Sequence, residues 1–227
     1  MDLQEKLEIY MPVIEASNLF YAIERSQIIS LMDCLGVYVQ VFKKDDDIYK
    51  SGNRIRNMGL VLKGAVLIVR DDFWGNRSIL SHIVPGGIFG ETYACSTEAV
   101  VDMMAVAREE TEVLFMDVSR VMRFCTNACT FHSRLIQNLL HVFAHKNMAL
   151  TQKMYFMSER TTKDKLLAYL SAQAGRQGSS YFEIPFNRQQ LADYLSVERS
   201  AMSAVLCKLR DEGILEFHKN QFRLKGS

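Results

Sequence analysis

Little in this chain of 227 residues points to a membrane, an export route or a disulfide scaffold. No apolar run reaches the roughly 18 residues that a spanning helix needs, which argues against a helical membrane anchor. The opening MDLQEKLEIY is acidic and lacks the basic and apolar regions of a secretory signal. Cysteine is scarce and odd in number, five residues scattered along the chain. That pattern fits a reduced, cytoplasmic protein rather than a paired framework. An excess of one charge is missing too: 27 Lys+Arg against 26 Asp+Glu leave a net charge of +1. Overall electrostatics therefore do not announce nucleic acid. The asymmetry that exists lies at one end. From Glu159 onward there are 11 basic and 8 acidic residues, against 16 and 18 in the remainder.

What is present is concentrated between Pro185 and Leu224, in PFNRQQLADYLSVERSAMSAVLCKLRDEGILEFHKNQFRL. Asn187 with Gln190 three residues on forms a capping box, and Leu191, Ala192 and Leu195 give the helix behind it one apolar face. Ser196 stands at a turn and is the expected cap of the next helix. Met202, Val205, Leu206 and Leu209 then recur at helical spacing. The opposite face carries Glu198, Arg199, Ser200, Ser203 and Lys208, and Gly213 is a C-terminal stop. Beyond it, two apolar runs flank His218-Lys219-Asn220, the pattern of a hairpin. Two helices, a turn and a closing hairpin make a winged helix-turn-helix, which places one helix in a DNA major groove. The DNA-facing candidates are Arg188, Gln189, Gln190, Glu198, Arg199, Ser200, Ser203 and Lys208. Arg199 is the expected base reader, because a guanidinium fork matches guanine O6 and N7. Arg188 and Lys208 are the expected phosphate contacts.

The rest of the chain divides by pattern. Residues 1–35 read as amphipathic helix, with Leu3, Leu7, Ile14, Leu19, Ile23 and Ile28 facing inward. Residues 36–116 break into short apolar segments punctuated by Gly52, Gly64, Gly75, Gly86, Gly87 and Gly90, the signature of a barrel or double-sheet jelly roll. From Phe131 to Ser158 there is neither glycine nor proline, and a long helix is expected. One heptad seam fits it, with Leu140, Asn147 and Met154 at a positions and Ile136, Phe143, Leu150 and Met157 at d positions. A lone Asn at an a position suits a parallel two-stranded dimer. Packing of the same helix within its own chain is the alternative. Thr161 or Thr162 caps a further helix, and AGRQGSS, from Ala174 to Ser180, is an expected loop. The class is α+β: an N-terminal β-roll (a double-stranded β-helix of jelly-roll type) with its helices over residues 1–130, a long dimerisation helix over 131–158, and a C-terminal winged helix-turn-helix over 159–227.

Roll, long helix and winged helix in that order resemble the cyclic-AMP receptor/FNR family of bacterial transcription regulators. The resemblance rests on MGLVLKGAVLIV, DDFWGNRSIL, PGGIFGE and NRQQLADYLSVERSAMSAVLCKLRDEGIL. It implies a homodimer, a palindromic operator, a small-molecule or other signal sensed in the roll, and RNA polymerase as a partner. In the cyclic-AMP binders of that family a Gly-Glu after the roll turn takes the ribose hydroxyl, and Gly90-Glu91 match it. The Arg-Ser pair that takes the cyclic phosphate is replaced by Val101 and Asp102. A buried phosphate facing Asp102 without an arginine would be an uncompensated anion pair. The positions that meet the purine align with Lys146 and Asn147, which also differ. The candidate effector pocket, with Gly90, Glu91, Tyr93, Arg108 and Asn147, is therefore expected to take something other than cyclic AMP, and the residues name no cofactor. In the recognition helix Arg199 matches the family's first base reader, while Ser200 and Ala204 stand at the other two.

Two other constellations bear on function. FCTNACTFH places Cys125, Cys129 and His132 at i, i+4 and i+7, ligand types suited to zinc, iron or an iron–sulfur cluster, or else small buried residues at a helix junction. Residues 36–116 contain only His82, so the histidine cluster of a cupin-like metalloenzyme is missing, and no catalytic role is expected. A ligand-binding roll with a degenerate DNA-binding half is the remaining rival.

Overall fold

A computed structural model describes residues 3–71, 73, 74, 77–96, 98–122 and 130–225. Helix α1 (Leu3–Glu15), a single 3₁₀ turn (Asn18–Phe20) and α2 (Arg25–Leu35) open the chain. Of the expected inward positions, Leu7, Ile14, Leu19, Ile23 and Ile28 are buried. Strands β1 (Tyr38–Phe42), β2 (Asp47–Tyr49), β3 (Asn57–Lys63), β4 (Val66–Asp71), β5 (Arg77–Ile83) and β6 (Ile88–Phe89) follow. Then come α3 (Glu91–Ala94), β7 (Met104–Ala107), β8 (Thr111–Asp117) and α4 (Val118–Val121). These strands form two antiparallel sheets, ordered β1-β8-β3-β6 and β2-β7-β4-β5.

The alternation of strand side chains explains why β3 and β8 read as nearly continuous apolar runs. Met58, Leu60 and Leu62 of β3, with Leu114 and Met116 of β8, face the helices and join Met11, Ile14, Leu31 and Leu35 in one core. Val61, Val113 and Phe115 face the other way and meet Phe42, Val66, Phe89, Ala105 and Ala107 between the sheets. Gly59 makes room there, since a Cβ at that position would lie 2.5 Å from the Phe89 ring.

Helix α5 (Thr130–Ser158) is the long helix. The chain divides into two compact units inside it, at Phe143/Ala144. In the first unit, Leu135 and Leu139 of α5 enter the helix-side core. Between them in register, Asn138 is buried and its Nδ2 donates to the carbonyls of Leu19 at 3.0 Å and Tyr21 at 2.7 Å. The second unit contains α6 (Thr162–Gln177), β9 (Tyr181–Glu183), α7 (Arg188–Leu195), α8 (Arg199–Asp211), β10 (Leu215–His218) and β11 (Gln221–Leu224). Strands β10, β11 and β9 pair antiparallel in that order. The unit's core joins Phe156, Leu166, Leu170, Leu191, Leu195, Met202, Leu206, Leu209 and Phe222.

Local signals set most helix ends. Thr161 accepts from the Asp164 N–H at 3.1 Å and caps α6. Gly213, at φ 74°, takes the left-handed position after α8, and the Ile214 N–H reaches back to the Leu209 carbonyl at 3.0 Å. Contrary to expectation, α6 continues through Ala174–Gln177, so the loop is shorter than AGRQGSS. Gly178 at φ 61° supplies the left-handed terminus, and the Gln177 side chain donates to the Glu183 carbonyl at 2.8 Å. These contacts offset the roughly 1 kcal/mol that a glycine such as Gly175 costs inside a helix.

Candidate nucleic-acid interface

Helix α7 begins in the expected capping box. The Asn187 side chain accepts from the Gln190 N–H at 2.9 Å, and Gln190 Oε1 accepts from the Asn187 N–H at 2.9 Å. Gln189 donates to Asp193 at 2.8 Å. Helix α8 begins differently from expectation. Ser196, at φ 52°, closes α7, and Glu198 is the residue that caps α8. Its carboxylate accepts the Ser200 N–H at 2.9 Å, the Ala201 N–H at 2.8 Å and the Ser200 hydroxyl. The Ser200 hydroxyl bond and these amide bonds hold the exposed carboxyl down to about 2. A carboxylate reaches further than a serine hydroxyl and favours the positive helix end, which is why it displaced Ser196 from the role.

The cap changes what α8 offers to a duplex. Glu198 and Ser200 are engaged with each other, and the Ser203 hydroxyl donates to the Arg199 carbonyl at 2.9 Å. Arg199, in the first turn, is exposed, and its side chain makes no hydrogen bond or ion pair with the described residues. Its five donors stand open. Exposed Lys208 lies 3.9 Å from Glu212, which also pairs with Lys163 at 3.2 Å. Arg188 is placed unlike an open surface cation: half-buried, it lies over the rings of Phe217 and Phe222. The wing follows as a hairpin with Phe217 opposite Phe222 and Lys219 exposed at its turn, φ 54°. Lys219 was legible as part of the turn in the sequence but not as a site residue, because its presentation depends on the hairpin register.

In the first unit, Gly90, Glu91 and Tyr93 lie within four positions at the β6–α3 corner. Gly90 has φ 77°, and a Cβ there would lie 2.7 Å from the Tyr49 ring. Glu91 is buried. The Tyr93 hydroxyl donates to Asp102, and burial together with this bond pushes it up to about 12. Val101 is buried beside it in sequence. Arg108 does not join this group: it is exposed at the far end of β7, with Nη1 3.2 Å from His82 Nε2. A bend at Met103 and the whole of β7 separate it from Asp102. Asn147 is exposed on α5 and belongs to the other unit. Cys125 and Cys129 lie outside the described residues. His132 is buried, its Nε2 3.2 and 3.1 Å from the carbonyls of Arg120 and Val121.

Residues 39–128 match the family model described as the cyclic nucleotide-binding domain, and residues 164–225 match the Crp-like helix-turn-helix domain. The chain belongs to the cyclic-AMP receptor/FNR family. It is a transcription regulator with a DNA-binding helix-turn-helix, and the relatives it matches are regulators rather than enzymes. It is 24% identical over 187 residues to the HTH-type transcriptional regulator ArcR of Staphylococcus epidermidis, covering 78% of each chain. It is 22% identical over 190 residues to the transcriptional activator FnrA of Stutzerimonas stutzeri, covering 82% of this chain and 75% of that one. The solved structure of the c-di-GMP responsive regulator CLP of Xanthomonas campestris has a similar fold, with a TM-score of 0.59, 16% identity and coverage of 90% and 100%.

Within this family frame, α5 is the element whose two faces matter. Leu135, Asn138 and Leu139 turn toward the roll's helix-side core, and Phe143 packs partly against the same core. Ile136 is half-buried. Leu140, Leu150 and Met154 stand 61%, 62% and 66% exposed, Met157 and Asn147 are exposed as well, and all of them lie on the heptad seam. The inward row of α5 was overlooked in the sequence. Its signal is Leu135, Leu139 and Val142 at spacings of four and three, but the polar Asn138 masks it.

Proposed function

We propose that this regulator is a cytoplasmic homodimer that binds a palindromic operator under the control of a signal received by the roll. The observation that carries the dimer is the exposed row Leu140, Leu150, Met154 and Met157 on α5. Apolar side chains at heptad spacing, unburied by their own chain, are covered when a second α5 packs alongside. Two α8 helices related by that two-fold axis then enter successive major grooves about 34–36 Å apart. Arg199 reads a guanine through its open fork, and Lys208 and Lys219 meet phosphates. Regulation needs no catalysis: the signal binds one arrangement of the dimer better than another, and one of them fits the operator. RNA polymerase is the partner on the promoter.

The signal is not cyclic AMP. By alignment Asp102 stands at the place of the phosphate-binding pair, and it accepts from Tyr93, so a carboxylate replaces the arginine there, and Arg108 lies at the far end of its strand beside His82. Selection from random DNA tests the main reading, with an enriched inverted repeat as the expected result and failure to enrich any two-fold site as the refuting one. Calorimetry with cyclic AMP tests the other, with no micromolar binding expected.

A further inference from the structure

Arg188 is a cation where a helix least favours one. It is the first residue of α7, at the positive end of the helix dipole. Its guanidinium carbon lies 4.8 Å from the Phe217 ring centroid and 5.1 Å from that of Phe222. Its Nη1 is buried without a hydrogen-bond partner, and no carboxylate among the described residues pairs with it. Phe217 and Phe222 are direct cross-strand partners with ring centroids 6.1 Å apart, and Phe222 stacks in turn on Phe182 of β9, 6.1 Å away. Arg210 of α8 lies 5.8 Å from the Phe217 centroid. The start of α7, the end of α8 and both wing strands thus converge on one pair of rings.

A phosphate-binding arginine keeps its N–H fork in water, ready to exchange solvent for phosphate oxygens. Arg188 has its fork partly withdrawn from water, and a planar cation over aromatic faces is arranged for stacking. Strand β10 is the edge of the three-stranded sheet and pairs with β11 alone, so a stack over Phe217 adds a hold on the wing's outer strand. We infer that Arg188 is a positioning residue of DNA binding: its guanidinium clamps the wing, and with it the Lys219 turn, onto the start of α7. This goes beyond the operator reading and rests on it only where DNA is concerned. Lysine cannot replace it, since an ammonium is a compact charge without a stacking plane.

The full-length variants Arg188→Lys and Arg188→Leu test the clamp. In the free protein, amide hydrogen exchange at Glu216 and Arg223, the wing pair next to Phe217 and Phe222, is expected to quicken about tenfold in both, the scale of one desolvated cation–π contact. On the operator enriched from random DNA, both variants lose affinity to the same degree. In a Lys219→Ala background either change adds less than about twofold, because the wing contact is already gone. Arg188→Lys at wild-type affinity beside an impaired Arg188→Leu would show a phosphate contact and overturn the clamp. So would unchanged wing exchange in both variants, or fully additive losses with Lys219→Ala. A wild-type protein that enriches no operator would refute the palindrome reading, while the exchange measurement would still decide the clamp.

Discussion

Replacing Leu150 by Asp isolates the dimer seam from the fold. Phe143, another seam position, packs partly against its own roll, so changing it would mix folding with association. Leu150 is 62% exposed in the single chain, so a change there leaves the chain's own cores intact. Full burial of a leucine side chain stabilises by about 1.5–3 kcal/mol. Covering only the exposed share of Leu150 then contributes about 1–2 kcal/mol, and the two copies in a dimer about 2–4 kcal/mol. At 1.4 kcal/mol per tenfold, the dimer dissociation constant rises by about 30- to 700-fold from lost apolar burial alone. Two carboxylates facing each other across the axis add to that loss. Sedimentation equilibrium of wild type and variant reads the shift, and thermal melting at high concentration checks that each chain still folds. A variant that dimerises as tightly as wild type refutes the seam, as does a wild-type protein that is monomeric at micromolar concentration.

Arg199→Ala is expected to cost about 1–3 kcal/mol of operator binding and to relax preference at one base pair per half-site, which selection from random DNA reads directly. Lys208→Ala should weaken binding to all sequences alike and flatten the salt dependence by about one unit per subunit, seen by anisotropy titration against salt. Asn138→Ala leaves the Leu19 and Tyr21 carbonyls without their donor, a loss of about 1–3 kcal/mol in urea unfolding. Glu198 is held from an ordinary 4.5 down to about 2, so its capping stability is present above 4.5 and is lost as pH falls toward 2. Glu198→Gln should remove that part of the acid dependence of helicity, measured by circular dichroism.

Local chemistry made much of the architecture legible in the sequence. The capping box of Asn187 and Gln190, the Thr161 cap and the Gly213 stop each depend on residues within a few positions of one another, and each stands where the pattern placed it. The strands of the roll were legible because β3 and β8 bury both faces and so read as apolar runs. What sequence pattern could not decide is which polar groups remain free. Glu198, Ser200 and Ser203 lie on the exposed side of the winged helix, yet a cap and a backbone bond engage them and leave the Arg199 guanidinium open. Two of those engagements could have been read locally, since a glutamate two residues before a helical serine is a cap in its own right. Others could not.

Arg188 meets Phe217 and Phe222 from 29 and 34 positions away, and Asn138 meets Leu19 and Tyr21 from more than a hundred. No periodicity encodes such partners, because the contacts exist only once strands have paired and helices have docked. The same holds for α5. Its heptad was determined by sequence alone, as the spacing of apolar residues along one helix. Which of its rows faces the roll and which stays exposed on the single chain was settled by tertiary packing, through the burial of Leu135, Asn138 and Leu139.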